Sequence, residues 1–351
     1  MLYARILLLT VVTLFLPGCY YMQAFSGQME IVSKRRPIER VITDPETTPS
    51  LRTRLQYVAA ARDFASRELG LPDNESYRSY ADLGRPYVVW NVFAAGEFSV
   101  KPRRWCFPIA GCVVYRGYFR EAAARRYASR LARNGYDHAV GGVAAYSTLG
   151  HFDDPVLNTM LGWSDAQLAA TLFHELAHQV VYVPGDSDFN EGFATIVEEV
   201  GLERWLRARG EVRELDAWQA RRARHAQFIA LLLHTRERLS KLYDSNLATA
   251  EMRSRKQYEF GVLKLEFERL REEWGGYSGY DVWFKRTLNN AHLVSASTYH
   301  GCVPGLRSAL RSVGGNLERF YEQMKSLASD EGAAQRAALC TVETPETEPA
   351  T

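Results

Sequence analysis

Apolar residues recur at helical spacing in two parts of the chain, and a different texture separates them. Leu51, Leu55, Val58, Ala65 and Leu69 share one stripe. They predict a helix from Ser50, suited to the N-cap, to Gly70, suited to the position after the last turn. Arg62 interrupts that stripe. From 85 to 118, "RPYVVWNVFAAGEFSV" and "WCFPIAGCVVYRGYF" are rich in Val, Tyr, Trp and Phe with Pro and Gly punctuation, the composition of short strands. A helix over about 120–134 ends at Gly135, and "HAVGGVAAYSTLG" (138–150) reads as another strand with glycines at its entry. Beyond residue 160 nearly everything is helically periodic, including long polar-faced helices near 211–243 and 249–274. A sheet lobe (about 85–150) followed by a helical lobe (about 160–335) is an α+β order, not alternating βαβ. No internal repeat is visible, and the tail "TVETPETEPAT" (341–351) is too polar and proline-rich to pack.

At the other end, Arg5 precedes an apolar run from Ile6 to Leu16. The run is too short to span a bilayer as a mature helix and reads as a signal peptide over 1–18. Leu16, Gly18 and Cys19 resemble a bacterial lipobox, which implies a lipidated Cys19 as the new N-terminus. Tyr20 follows instead of aspartate, which in that pattern implies the outer membrane, facing the periplasm. The alternative is an ordinary secretory signal with Cys19 a structural thiol. Residues 19–49, with Pro37, Pro45 and Pro49, read as a polar tether holding a domain of residues 50–340 off a membrane surface.

Composition adds two constraints. With 46% hydrophobic and 24% charged residues the chain is globular, and a net charge of +2 with no basic run beyond "KRR" (34–36) offers no footprint for nucleic acid. Oligomeric state is left open. Four further cysteines, Cys106, Cys112, Cys302 and Cys340, suggest disulfides in an oxidising compartment. Three pairings exist, and proximity favours Cys106 with Cys112, leaving Cys302 with Cys340.

The chemistry concentrates in "TLFHELAHQVVYVPGDSDFNEGFAT", residues 171–195. Ser164 and Gln167 form a capping box that starts a helix, and Pro184-Gly185 stops it. His174 and His178, four apart, lie one turn apart on one face, where two imidazoles reach one ion. Glu175 stands on the adjoining edge, free to act as a general base instead of a ligand. By chance such a motif arises in on the order of one chain in a hundred of this length and histidine content. The bland alternative is two half-buried histidines and a surface acid. Catalytic zinc takes three protein ligands. Glu191 is the candidate third. If the first helix ends near Val183 and the second begins near Asp188, His178 and Glu191 lie about 7–8 Å and about 5 Å from the turn. Asp186 and Asp188 are rivals whose setting suits capping.

"HELAHQ" followed by "NEGFAT" resembles aminopeptidase N-type gluzincins, whose third zinc ligand is the glutamate of the second motif, with a longer spacer than here. The short spacer, the lipobox, "WCFPIAGCVVYRGYF" and "NNAHL" together resemble a proteobacterial family of predicted aminopeptidase lipoproteins. The resemblance implies a zincin-like fold, Zn²⁺ and a peptide or protein substrate. It implies that Glu198 supports a zinc histidine, with Thr195 on the same face; the alternative for Glu198 and Glu199 is a solvated acidic pair. It also implies an oxyanion-stabilising tyrosine, either Tyr258 in "YEFG" or Tyr299 after "NNAHLVSAST", and a glycine-bearing substrate strand at Gly141 and Gly142. That strand, "GGVAAYS", lacks the amine-binding glutamate of those enzymes. Asp153 or Asp154 could replace it, and endopeptidase activity is the alternative. A non-catalytic zinc lipoprotein serving envelope assembly is the alternative of another class.

Overall fold

The computed structural model describes residues 18–107, 111–148, 150, 152–294 and 302–340. The expected signal peptide up to residue 17, Tyr299 and the tail 341–351 lie outside the described residues. The segment expected to be a tether is instead helical, as α1 (Gly18–Ser33) and α2 (Ile38–Thr43). Ile31, Ile38 and Val41 are only 1–2% exposed within the main core. Three separated apolar residues make no periodic stripe, so the polar composition around them concealed the packing.

Helix α3 (Pro49–Leu69) is capped by Thr48, whose hydroxyl accepts from the Leu51 N–H, and not by Ser50. Pro49 supplies the pre-set φ of a first turn, and Gly70 closes the helix at φ 65°. Arg62, the charge in the apolar stripe, is buried and donates to the carbonyls of Pro72, Asn74 and Ser76 and to the Ser66 hydroxyl. It is the organiser of the loop after α3.

Among the described residues, short strands form three small sheets. β1 (Arg36–Pro37) pairs antiparallel with β2 (Ser79–Ala81), which lies parallel to β8 (Val156–Leu157). β3 (Val89–Gly96) is the centre of a second sheet, β4 (Trp105–Phe107) and β5 (Gly111–Val113) form a hairpin, and β6 (Arg116–Tyr118) and β7 (Tyr136–Val143) flank β3 antiparallel. β7 follows β3 from Val89↔Val143 to Gly96↔Tyr136, and its other edge pairs with no strand among the described residues. The expected strand 138–150 therefore starts earlier and stops at Val143. Ser147 and Thr148 bond Asp154 instead of a neighbouring strand. Trp90, Val92 and Ala94 pack on Ala124, Ala128 and Leu131 of α4 (Glu121–Arg133). Phe93, on the other face of β3, meets the Tyr115 ring at 6.0 Å.

The helical body comprises α5 (Asp165–Ala177), α6 (Ser187–Ala208), α7 (Val212–Tyr243), α8 (Thr249–Glu273), α9 (Asp281–Phe284), α10 (Asn290–Val294), α11 (Val303–Ser312), α12 (Leu317–Leu327) and α13 (Ala333–Leu339). The main core joins α3, α5, α6, α11 and α12 around Phe173, Phe189, Phe193 and Phe320. The α7–α8 hairpin carries a second core, in which Phe284 stacks on Phe267 at 3.8 Å. No helix among the described residues is long and apolar enough to cross a membrane. Disulfides join Cys106 to Cys112 and Cys302 to Cys340, the pairing that proximity favoured.

Candidate metal centre

Ser164 caps α5, its hydroxyl accepting from the Gln167 N–H. The helix ends at Ala177, several residues before the expected Val183, with His178 at the C-cap. Tighter bonds, Gln179 N–H to Leu176 O and Val180 N–H to Ala177 O, turn the chain out at once. Pro184-Gly185 thus lies in the turn, with Gly185 at φ 84°. Asp186 caps α6 by accepting from the Phe189 N–H and binds Arg336 through its other oxygen. Asn190, of the "NEGFA" stretch, is buried and clasps Val183 by N–H and C=O, both at 2.8 Å. Gln179 accepts from Asn74 at 2.8 Å, tying the exit of α5 to the loop that Arg62 organises. These contacts set α6 beside α5 without a long spacer.

The result brings together the Nε2 atoms of His174 and His178, 3.2 Å apart, with Glu191 Oε2 3.2 Å from the first and Oε1 3.8 Å from the second. All three ligand atoms lie within 4.8 Å of one another. Glu198 Oε2 accepts from His174 Nδ1 at 3.0 Å. A carboxylate only accepts, so Nδ1 donates to Glu198, and Nε2, 3.2 Å from Glu191 Oε2, carries the second proton, which a cation would displace to take the Nε2 lone pair. His178 Nδ1 is buried without a hydrogen-bond partner. Two imidazole Nε2 atoms and a carboxylate thus converge on one point, where positive charge is favoured. Accordingly, although burial opposes charge on His174, Glu191 and Glu198 raise its pKa to about 10, while burial and His174 lower His178 to about 4. The three groups could hold a metal ion in place of the shared proton.

Glu175 stands outside this set. Burial raises its carboxyl, as does the charge of Glu191, against His174 and a hydrogen bond from Ser147. Ser147 belongs to the segment following β7, so that strand leads to this acid.

The other expected residues divide. Glu198 is at the site, and the solvated acidic pair is not what the structure shows. Arg222 approaches Glu198 at 3.7 Å and binds Glu199, which Arg307 holds from the other side at 2.7 Å. Thr195 shares the α6 face of Glu191 and Glu198 and is half-buried. Gly142 has a packing reason of its own, since a Cβ there would stand 2.4 Å from the Tyr87 ring, whereas Gly141 has room. Asp154 is consumed by Ser147 and Thr148, Asp153 and Asp188 are exposed, and Asp186 is a cap. Tyr258 is 70% exposed on α8, a helix of the second core, whereas His174, His178 and Glu191 sit on or at the end of helices of the main core. Tyr115 and Tyr182 had not been singled out. The Tyr182 ring lies 6.5 Å from His178, and Tyr115 is raised by burial and by the charge of Glu191. The signal for Tyr115 was its place in "WCFPIAGCVVYRGYF".

A family model described as "Putative aminopeptidase" matches residues 19–339. No curated protein and no solved structure matches the chain.

Proposed function

The chain belongs to this predicted aminopeptidase family, and from that premise we propose a zinc-dependent peptidase with His174, His178 and Glu191 as ligands and Glu175 as general base. One observation carries it: three ligand atoms, from two histidines and one glutamate, converge while a fourth residue, Glu175, stays out of the set. A zinc ion bound there supplies Lewis acidity toward a peptide carbonyl and toward water. Glu198 holds the His174 tautomer that ligation needs. Glu175 takes the proton of the attacking water and delivers it to the leaving amine, and burial makes it a stronger base than an exposed glutamate. An extended substrate adds to the edge of β7 away from β3, beyond His138, whose carbonyl accepts from Asn289, with Gly142 giving its backbone groups, and so runs toward Ser147 and Glu175. Tyr115, kept protonated by burial and by Glu191, donates to the developing oxyanion.

The family description supports removal of N-terminal residues. Endopeptidase action is the second reading, favoured by Asp154, whose carboxylate is buried beneath Ser147 and Thr148 instead of open to a substrate amine. For location we propose the periplasmic face of the outer membrane, with lipid on Cys19, the residue at which the family match starts. Cys19→Ser is expected to lose lipid labelling and leave the membrane fraction.

The test of the activity is elemental analysis of the purified protein together with digestion of a peptide library in free and N-acetylated forms. Stoichiometric zinc and cleavage confined to free N-termini are expected, and cleavage of both forms establishes the endopeptidase. A zinc-loaded protein that cleaves neither form is a non-catalytic envelope lipoprotein.

A further inference from the structure

Helix α1 is fastened along one side and exposed along the other, where only Tyr21 meets a ring beyond the helix, that of Phe107 at 6.4 Å, among the described residues. Gln23 donates to Gly117 O at 3.3 Å and accepts from the Phe119 N–H at 3.1 Å. Gly27 lies against the Phe119 ring, where a Cβ would stand 2.0 Å away, and Ile31 enters the main core. Glu30, the one charged residue of the helix, is turned to Arg85, whose Nη1 donates to its two oxygens at 2.7 and 2.8 Å. On the opposite side Tyr21, Met22, Phe25 and Met29 are 41, 65, 64 and 45% exposed. At about 100° per residue these four lie within an arc of roughly 100°, and Gln23, Gly27 and Ile31 within roughly 80° on the far side. Single exposed apolar residues are ordinary, but four along one uncharged helix face form a contact surface.

We propose that this face rests in the interface of a lipid bilayer, with α1 lying in the membrane plane and the rest of the chain held above it in a fixed orientation. Its place in the chain selects lipid as the occupant. The apolar run ends at Leu16, and at about 3.5 Å per residue Tyr21 lies within roughly 17 Å of that end. Whether the run itself or a lipid on Cys19 enters the membrane, the exposed face starts at its surface. The helix is about 24 Å long and no described helix qualifies to cross, so α1 lies on the bilayer instead of spanning it. Tyr21 suits that depth, with an apolar ring and a hydroxyl for the headgroups. Because Gln23 and Gly27 lock α1 to the end of β6, the membrane contact sets the orientation of the sheet whose β7 edge leads to Glu175. The inference is independent of the peptidase reading and shares only the membrane with the Cys19 reading.

The test uses the chain from residue 19 onward with Cys19→Ser, exported behind a cleavable signal, so that lipid and apolar run are both absent. In flotation with phosphatidylethanolamine–phosphatidylglycerol vesicles this chain is expected to rise with the lipid. Adding Met22→Gln and Phe25→Gln is expected to weaken partition at least about tenfold, with both disulfides and the circular dichroism unchanged. A chain that stays at the bottom of the gradient at saturating lipid overturns the proposal, as does a double variant that floats equally well. A dimer made monomeric by the two substitutions assigns the face to a second copy and overturns it too. Lipid labelling of Cys19 in the full chain is read separately, so either reading can fail while the other stands.

Discussion

His174 Nδ1 donates to Glu198 Oε2 across 3.0 Å, a bond between α5 and α6 that fixes an imidazole ring and selects its tautomer together. Removing the acceptor leaves the three ligands in place but frees the ring. Glu198→Ala is therefore expected to weaken zinc binding by about 10–100-fold, measured by chelator competition. Glu191→Gln, which removes a ligand, is expected to lose more, and equal zinc occupancy in that variant would take Glu191 out of the coordination set.

Glu175→Gln preserves size and removes basicity. It is expected to retain wild-type zinc content and to lower kcat by about 10²–10⁴ on any peptide the wild type cleaves. Unchanged turnover would end the general-base assignment.

The two tyrosines separate by position. Tyr115→Phe is expected to lower kcat by about 10²–10³, the scale of one lost oxyanion donor, without changing zinc affinity. Tyr258→Phe, on an exposed face of α8, is expected to leave kcat and KM alone. The reverse result in single-turnover kinetics would return the role to the α8 residue.

Arg62→Met removes a buried guanidinium that holds three carbonyls, and is expected to cost about 3 kcal/mol in denaturant unfolding. Zinc affinity should fall with it, through the Asn74–Gln179 tie at the exit of α5. Arg62→Lys is not expected to rescue either property, because one ammonium cannot span the same acceptors.

Opening the Cys302–Cys340 bridge by a double serine substitution is expected to cost about 3–4 kcal/mol, from the separation of 38 residues. It should also weaken zinc binding. Gly192, next to Glu191, sits where a Cβ would be 3.1 Å from Cys302 Cβ, so the bridge is packed against the ligand helix. The same change at Cys106 and Cys112, six residues apart, should cost less stability and leave zinc untouched.

The parts legible in the sequence were those written in local spacing. His174, Glu175 and His178 need only one helical turn, and Glu191 was reachable because its helix follows directly. The α3 helix was legible within two residues at its start, the difference being that Thr48 and Pro49 take cap and first turn ahead of Ser50. Less accessible was whatever depends on distant packing. Tyr115 reaches the neighbourhood of Glu191 only through the Phe93 face of β3, and no periodicity encodes that meeting. Strands of two or three residues such as β1, β2 and β8 carry no alternation to read. The early end of α5 was hidden because the tight turn at Gln179 and Val180, and the Asn190 clasp that fixes Val183 beyond it, leave no mark in the local spacing.

The Cys302–Cys340 bridge also gives the molecule a history. A newly synthesised chain carries two thiols where the finished protein has a covalent strut behind the Glu191 helix. The ligand set is thus braced in two stages, first by Asn190 and Asp186 as the chain folds, then by oxidation. On the metal reading proposed above, a chain still reduced at Cys302 and Cys340 is expected to bind metal more weakly than the same sequence after oxidation.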